Sequence, residues 1–440
     1  MKYQTTFVIV IIIVMMSMVV LVFIDRRGGT EESSGESSPA IGRESAGKVV
    51  IFVNPDSSYS IVGDYILSAN ETVDIMFYEA WSIDLYNILY TLANKGVNVR
   101  VLLEGNTYSD LGDEWNKNFS AMLYELNRSG LSISVKLENT DTLMHAKMII
   151  IDGKITIIGS ENFMPTSYPS DPYNIELRPY SVPSRGWGAI IIDDGFSQAC
   201  EGIFNDIFLD NAKSIYYNFG IGRGEAPYSH GDYAFSPSFG TLECHGIDPV
   251  LVNTPDNSYD VIKWLIDIAN HTIYMELPYI NNSSSVVQDL INRLELAKDR
   301  GVTVHIILED DYEGLGNYSH IGEYLKKKGF WVVPAFNRSE ILYLHNKGIV
   351  VDDEYVLIGS INWSGGALLY NTEVATMLKS RQVAVFFKKC FEYDWNMSSE
   401  REFDTDNDGL SDMYEEDHGI DPYNNDTDGD GVDDYSEVFI

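Results

Sequence analysis

The chain has 440 residues, enough for more than one folded unit, and its 30 Lys and Arg stand against 66 Asp and Glu for a formal charge of -36. So acidic a surface does not attract polyanions over its whole area, which excludes a broad nucleic-acid-binding face and leaves room only for a local basic cleft. The three cysteines, Cys200, Cys244 and Cys390, are too few for a disulfide framework and have no zinc-site spacing.

Phe7 to Ile24 is an unbroken apolar run, preceded by Lys2 and followed by Asp25, Arg26 and Arg27. It is just long enough to cross a bilayer core and has no small-residue cleavage site, so residues 1–27 read as an uncleaved N-terminal transmembrane anchor. Residues 28–47, rich in Ser, Glu and Gly, carry too little apolar surface to fold and read as a disordered linker. Asn-x-Ser/Thr sequences recur at Asn70, Asn118, Asn127, Asn270, Asn317, Asn337 and Asn396. Together with calcium loops near the C-terminus, they place everything beyond the anchor outside the cell.

From residue 48 the chain repeats itself. Val53-Asn54-Pro55-Asp56 returns as Val252-Asn253-Thr254-Pro255-Asp256, and the stretch VRVLLEG after Gly96-Val97 returns as VHIILED after Gly301-Val302. Periodicity predicts a strand over 49–53, a helix over 59–69, a strand over 73–78, a helix over 85–95 and a strand over 97–103. Such alternation implies an α/β fold, a sandwich with a mostly parallel or mixed sheet built once per half. The halves fall at 48–218 and 249–400. The Gly-, Pro-, Ser- and Tyr-rich residues between them, 219–248, read as a crossing connection, and its His230 and His245 read as isolated histidines with a structural or surface role.

His145-Ala146-Lys147 is followed by Asp152 and by Gly159-Ser160-Glu161-Asn162; His345-Asn346-Lys347 is followed by Asp352 and by Gly359-Ser360-Ile361-Asn362. On a strand, residues i and i+2 share a face, so each His and Lys points the same way. Ser160, Asn162, Ser360 and Asn362 then reach the same pocket from beyond the next turn. Two such sets around a pseudo-twofold axis suit a phosphodiester. One imidazole attacks phosphorus and the other protonates the leaving alkoxide, while Lys and Asn stabilise the oxygens. The acid of the first step becomes the base of the second, and no metal is needed.

These duplicated motifs resemble the HKD motifs of the phospholipase D superfamily, and the likeness covers about Lys48 to Met397. The resemblance implies that His145 is the nucleophile and His345 the general acid, with Lys147, Lys347, Asn162 and Asn362 around the phosphate. It also implies an acidic residue after each Gly-Ser-x-Asn that orients an imidazole. In the second half this is Glu373. In the first, Glu176 is the best match, although an alignment through Ser184-Arg185-Gly186-Trp187-Gly188 puts a glycine there. Asp152 and Asp352 match the motif either as members of the catalytic set or as braces of the strands.

Residues 401–440 carry two Asp-rich loops. Asp404, Asp406, Asp408, Asp412 and Glu415, and again Asp426, Asp428, Asp430, Asp434 and Glu437, hold the ligand positions of calcium loops, with Gly409 and Gly431 at the sixth position. Their close spacing resembles thrombospondin type 3 repeats and implies a structural role for Ca2+ rather than a switch. The expected activity is a phosphodiesterase cleaving a phospholipid head group through a phosphohistidine, with one chain sufficient for one site. Cleavage of single-stranded nucleic acid, and phosphatidyl transfer of the cardiolipin synthase kind, are the alternatives.

Overall fold

The computed structural model describes residues 47–170, 175–176, 183–211, 213–215, 232–233, 237–309, 318–335, 343–399, 406, 420–429, 431–434 and 437. The expected anchor, almost all of the linker, His230, Asn317, Asn337, Asp404, Asp408, Asp412, Glu415 and Asp430 lie outside the described residues. Among those described, no helix is long and apolar enough to cross a membrane.

The first half begins with alternating elements: β1 (Gly47–Asn54), α1 (Ser58–Leu67), β2 (Thr72–Phe77), α2 (Ile83–Asn94), β3 (Asn98–Leu103), α3 (Asp110–Arg128) and β4 (Ile133–Glu138). It continues through β5 (Lys147–Ile151), β6 (Ile155–Gly159), β7 (Ile175–Glu176), β8 (Ser184–Ile192) and α4 (Asp194–Phe208). Short strands β9 (Ser214–Ile215), β10 (Asp232–Tyr233) and β11 (Leu242–Ile247) lead onward. The second half then opens with β12 (Pro249–Thr254), α5 (Ser258–Ile268), β13 (Thr272–Leu277), α6 (Ser285–Asp299), β14 (Thr303–Leu308), α7 (Glu323–Lys327) and β15 (Trp331–Pro334). It ends with β16 (Tyr343–Leu344), β17 (Gly348–Val351), β18 (Tyr355–Gly359), α8 (Gly365–Leu369), β19 (Glu373–Lys379) and α9 (Arg381–Ser399).

The duplication holds strand for strand. The run β1-β8-β6-β5-β2-β3-β4 in one sheet is repeated as β12-β19-β18-β17-β13-β14-β15 in the other. Each sheet is mixed, with the last three strands parallel and the rest antiparallel. The stretch expected to be a plain connection does more than cross over: β11 adds an antiparallel strand to the free edge of β1. Its period-2 signal is short, but it buries Cys244 and Ile247 while Glu243 and His245 stay at the surface, where they pair at 2.9 Å.

Strand alternation sorts the core. Val49, Ile51 and Val53 of β1 enter a central cluster, and Val50 and Phe52 enter an outer one beneath the helices of the first half. Likewise Met148 and Ile150 face inward while Ile149 and Ile151 face outward. The central cluster draws on both halves, with α4 and α9 packed into it. Trp187 stacks on Phe387 of α9 with ring centroids 4.6 Å apart. Gly348 makes that possible, because a Cβ there would run into the indole.

Asp152 and Asp352 are braces. Each sits at the far end of its motif strand in the left-handed region, at φ 51 and 54. Asp152 accepts the backbone N–H groups of Asn70, Glu71 and Thr72 at 3.0, 2.8 and 2.9 Å, and Asp352 does the same for Asn270, His271 and Thr272 at 2.7, 2.8 and 2.8 Å. A five-residue strand, roughly 16 Å long, separates Asp152 from its histidine. Burial alone would raise the Asp152 carboxyl, but the three N–H donors hold it below the usual carboxylate value.

In the C-terminal segment Asp426 accepts the N–H groups of Gly429 and Gly431, both at 2.9 Å. Gly431, at the sixth loop position, takes φ +95. Asp434 is buried and accepts both the N–H and the hydroxyl of Thr427. No group of three or more His, Cys, Asp or Glu side chains suited to a metal occurs among the described residues.

Replacing Asp152 with Ala is expected to lower the unfolding free energy by about 1–3 kcal/mol in a urea titration, the cost of three backbone donors losing their acceptor. Turnover per folded molecule should stay within about threefold, the level set by indirect effects. A collapse of turnover at unchanged stability would return Asp152 to the catalytic set.

Candidate active site

Each motif histidine is fixed by the backbone of the opposite half. His145 lies two residues before β5 begins in earnest, and its N–H donates to the carbonyl of Thr372 at 2.9 Å, where Met144 and Thr372 form a bridge. His345 follows β16, which pairs with β8, and its N–H donates to the carbonyl of Arg185 at 3.1 Å. Both imidazoles are about a tenth exposed, and both line one cleft of about 1210 Å³.

The side chains cross over in the same way. Nδ1 of His145 is 2.9 Å from Oε2 of Glu373, which also accepts the Ser360 hydroxyl at 2.5 Å. Nδ1 of His345 is 3.5 Å from Oε2 of Glu161, which accepts the hydroxyls of Ser184 at 2.6 Å and Ser167 at 3.1 Å. A carboxylate on Nδ1 leaves Nε2 of the neutral ring as the free base.

Glu161 is the residue that sequence reasoning missed. β8 pairs with β1 at Gly186 opposite Asn54, as β19 pairs with β12 at Glu373 opposite Thr254. Gly186 is therefore the structural counterpart of Glu373, and Glu161 is the counterpart of Ile361. The two positions have exchanged their roles: the carboxylate has moved to the preceding turn, and the glycine opens the space it fills, since a Cβ at 186 would run into Oε1 of Glu161 and Oγ of Ser160. The signal was present in the contrast between Gly-Ser-Glu-Asn and Gly-Ser-Ile-Asn, read together with the glycine of the alternative alignment. Glu176 lies on β7, away from that place in the sheet order, paired with β10; its side chain is outside the described residues.

Lys147 and Lys347 lie beneath the cleft, 1% and 2% exposed. Nζ of Lys147 donates to the carbonyl of His145 at 2.8 Å; Nζ of Lys347 donates to the carbonyls of His345 and Ser160. Burial pulls the Lys147 ammonium down to about 8, against the pull of Glu373, Glu79 and Glu161. Burial, then Lys147 itself, hold Lys347 well below the lysine range. The imidazoles follow. Burial takes His145 down to about 4 against Glu373, and burial with Lys347 takes His345 down to about 3 against Glu161. Both rings are neutral at ordinary pH, and a phosphodiester anion would offset the lysine charges and favour a proton on one of them. Glu161 is held below the usual carboxylate value, because His345, Lys347 and Ser184 outweigh its burial.

Asn162 and Asn362 line the cleft, as expected. Ser160 and Ser360 do not. Both are fully buried behind it, where Ser160 accepts the N–H of Trp187 at 3.1 Å and Ser360 accepts that of Val374 at 3.1 Å. They tie the motif turn to the neighbouring strand instead of touching substrate. The halves also differ at the amides: Nδ2 of Asn162 donates to Glu79 at 3.0 Å, whereas the Asn362 side chain makes no hydrogen bond among the described residues, which leaves its Nδ2 to a phosphate oxygen. The rest of the lining mixes polar and apolar side chains and includes the rings of Tyr78, Tyr108, Trp115, Tyr279 and Tyr343.

Paired imidazoles over paired lysines, built once per half and closed across a pseudo-twofold, define a phosphodiester-processing centre of the phospholipase D kind. The family described as "Cardiolipin synthase, PLD-like domain" matches residues 62–177 and 262–395, one stretch in each half and more than half of the chain. This chain belongs to that family. Cardiolipin synthase A of Wigglesworthia glossinidia brevipalpis is 25% identical over 390 residues, 79% of this chain and 68% of that protein. Mitochondrial cardiolipin hydrolase of Mus musculus is 32% identical over 102 residues, 23% of this chain and 44% of that protein, so the match spans less than half of the hydrolase. Phosphatidylserine synthase of Haemophilus influenzae Rd KW20 shares the fold with a TM-score of 0.57 at 13% identity, over 80% of this chain and 86% of that one.

Two outcomes test this geometry. Glu161→Gln should lower turnover about 10–100-fold, as loss of an imidazole-orienting partner does, and the double change Glu161→Ile with Gly186→Glu, which copies the second half into the first, should recover most of it. A double variant no better than the single one counts against the exchange. Because the acid must be protonated and His345 titrates low, kcat/KM should decline as pH rises from 5 to 9 and steepen near pH 8, where Lys147 loses its charge. A profile that climbs from pH 5 to 8 contradicts neutral imidazoles above a charged Lys147.

Proposed function

We propose that the protein transfers a phosphatidyl group from a phospholipid to an alcohol through a covalent phosphohistidine. The observation that carries this reading is the reciprocal site, in which two neutral imidazoles face one cleft and each is held at Nδ1 by the other half. Binding of the phosphodiester anion lets Nε2 of His345 take a proton from solvent; Nε2 of His145 then attacks phosphorus and the P–O bond to the leaving alcohol breaks, with His345 giving that oxygen its proton. In the second step His345 takes the proton of the incoming hydroxyl, the new P–O bond forms and the P–N bond breaks, which returns both rings to their starting state. Lys147, Lys347 and Asn362 stabilise the charge on the nonbridging oxygens.

Hydrolysis stood first on sequence grounds, with water in place of the alcohol. Transfer is favoured by the relatives, since the cardiolipin synthase matches both halves and the cardiolipin hydrolase only a quarter of the chain. The cleft supports it too, being larger than the roughly 300–1,000 Å³ of ordinary ligand sites and lined with aromatic rings suited to a lipid and a second alcohol. The net charge of -36 weighs against nucleic acid. We also propose that Phe7–Ile24 tethers the enzyme with its body outside the cell, which accords with the exposure of Asn70, Asn127, Asn270 and Asn396. Calcium then orders the Asp-rich segment without entering the chemistry.

The test is to mix the purified protein with vesicles of 32P-labelled phosphatidylglycerol and an excess of ethanol, whose transfer product, phosphatidylethanol, differs from the substrate. Transfer product should exceed phosphatidic acid, an acid-labile labelled protein should be trapped on rapid quenching, and His145→Ala should lose both. A calcium chelator should lower the melting temperature while the reaction continues. Equal inertness of wild type and His145→Ala on phosphatidylglycerol, phosphatidylcholine and single-stranded DNA would end the enzymatic reading.

A further inference from the structure

We infer that Glu104 and Glu309 are positioning residues, each of which sets one reacting imidazole by gripping the backbone N–H of the residue just before it; the inference rests on His145 and His345 being the reacting groups. Glu104 directly follows β3 and Glu309 directly follows β14, the middle parallel strand of each half. Both are buried, at 2% and 7% exposed. Oε2 of Glu104 accepts the N–H of Met144 at 2.7 Å, and Oε2 of Glu309 accepts the N–H of Leu344 at 2.5 Å.

The next N–H along the chain is that of the histidine, and it is bound by the opposite half, at Thr372 or at Arg185. Successive N–H groups of an extended segment point to opposite sides. Each histidine therefore follows two fixed peptide groups, the one before its neighbour gripped by a carboxylate of its own half and its own N–H held on the opposite side by a carbonyl of the partner half. That arrangement fixes the backbone torsions that aim the ring. The grip on the first side is itself held. Asn116 of α3 donates to the carbonyls of Glu104 at 2.9 Å and Tyr78 at 2.7 Å while accepting the N–H of Ala80 at 3.0 Å. The Tyr78 ring lies 4.9 Å from that of His145.

Glu104 also accepts the N–H of Asn106 at 2.8 Å and faces a second buried carboxylate, Glu138 at the end of β4. Lys117, which borders the small cavity beside them, is taken by Asp113 at 3.2 Å. Burial, then the charge of Glu138, push Glu104 up to about 8. Glutamine keeps one acceptor oxygen for the Met144 N–H and places an NH2 donor on the side that faces Glu138, giving up only the contact with Asn106.

The test treats the purified full-length protein with diethyl pyrocarbonate and follows carbethoxylation of His145 and His345 separately by peptide mass spectrometry. Glu104→Leu should raise the rate at His145 relative to His345 by roughly fivefold or more, the scale of one lost buried hydrogen bond. Glu309→Leu should shift the ratio the opposite way, and Glu104→Gln should keep the wild-type ratio. Each half decides for its own residue should the other leucine variant not fold. Rates that move together, rates that do not move, or a glutamine variant that behaves like the leucine one would overturn the inference. The measurement needs no turnover, so an inert wild-type enzyme would refute the proposed reaction, and an unchanged ratio would refute the grip.

Discussion

Two ammonium groups buried side by side are the constraint on which the rest of this structure depends. Lys147 and Lys347 repel each other and have lost most of their water, and such a pair persists only where carboxylates of fixed position oppose it. Glu161 comes from one half and Glu373 from the other, and each also holds the imidazole of the opposite half. Charge balance, ring orientation and the docking of the halves are therefore one interaction seen three ways. Neither half holds a complete centre.

The fold delivers this with ordinary strand geometry. Alternation sends Met148 and Ile150 into the shared core, and so leaves His145 and Lys147 on the parity of Ile149 and Ile151, where strand ends meet the cleft. The shared core then sets how closely the halves approach. Trp187 reaches across to Phe387 because Gly348 offers no side chain in its path.

Much of this was legible in the chain. The repeats at Asn54 and Asn253, the paired His-x-Lys motifs and the alternating periodicity lead to duplicated mixed sheets, to both histidines and lysines, and to both asparagines of the cleft. The serines were misassigned because a small hydroxyl next to a motif looks the same in sequence whether it faces substrate or a backbone N–H; only the strand pairing of Trp187 and Val374 separates the two. Asp152 and Asp352 were ambiguous for a related reason. Their partners are backbone groups some 80 positions away, which carry no side-chain signature. β11 was hidden because it holds only two buried side chains among charged ones.

The trade between positions 161 and 186 reaches beyond this one molecule. What the two halves share at this centre is an oxygen at a point in space, carried by different links of the chain and matched by a glycine where the other half has its acid. A search that demands an acid at the customary alignment column would score the first half as degenerate. Coordinates, not columns, decide whether a duplicated enzyme has kept both of its hands.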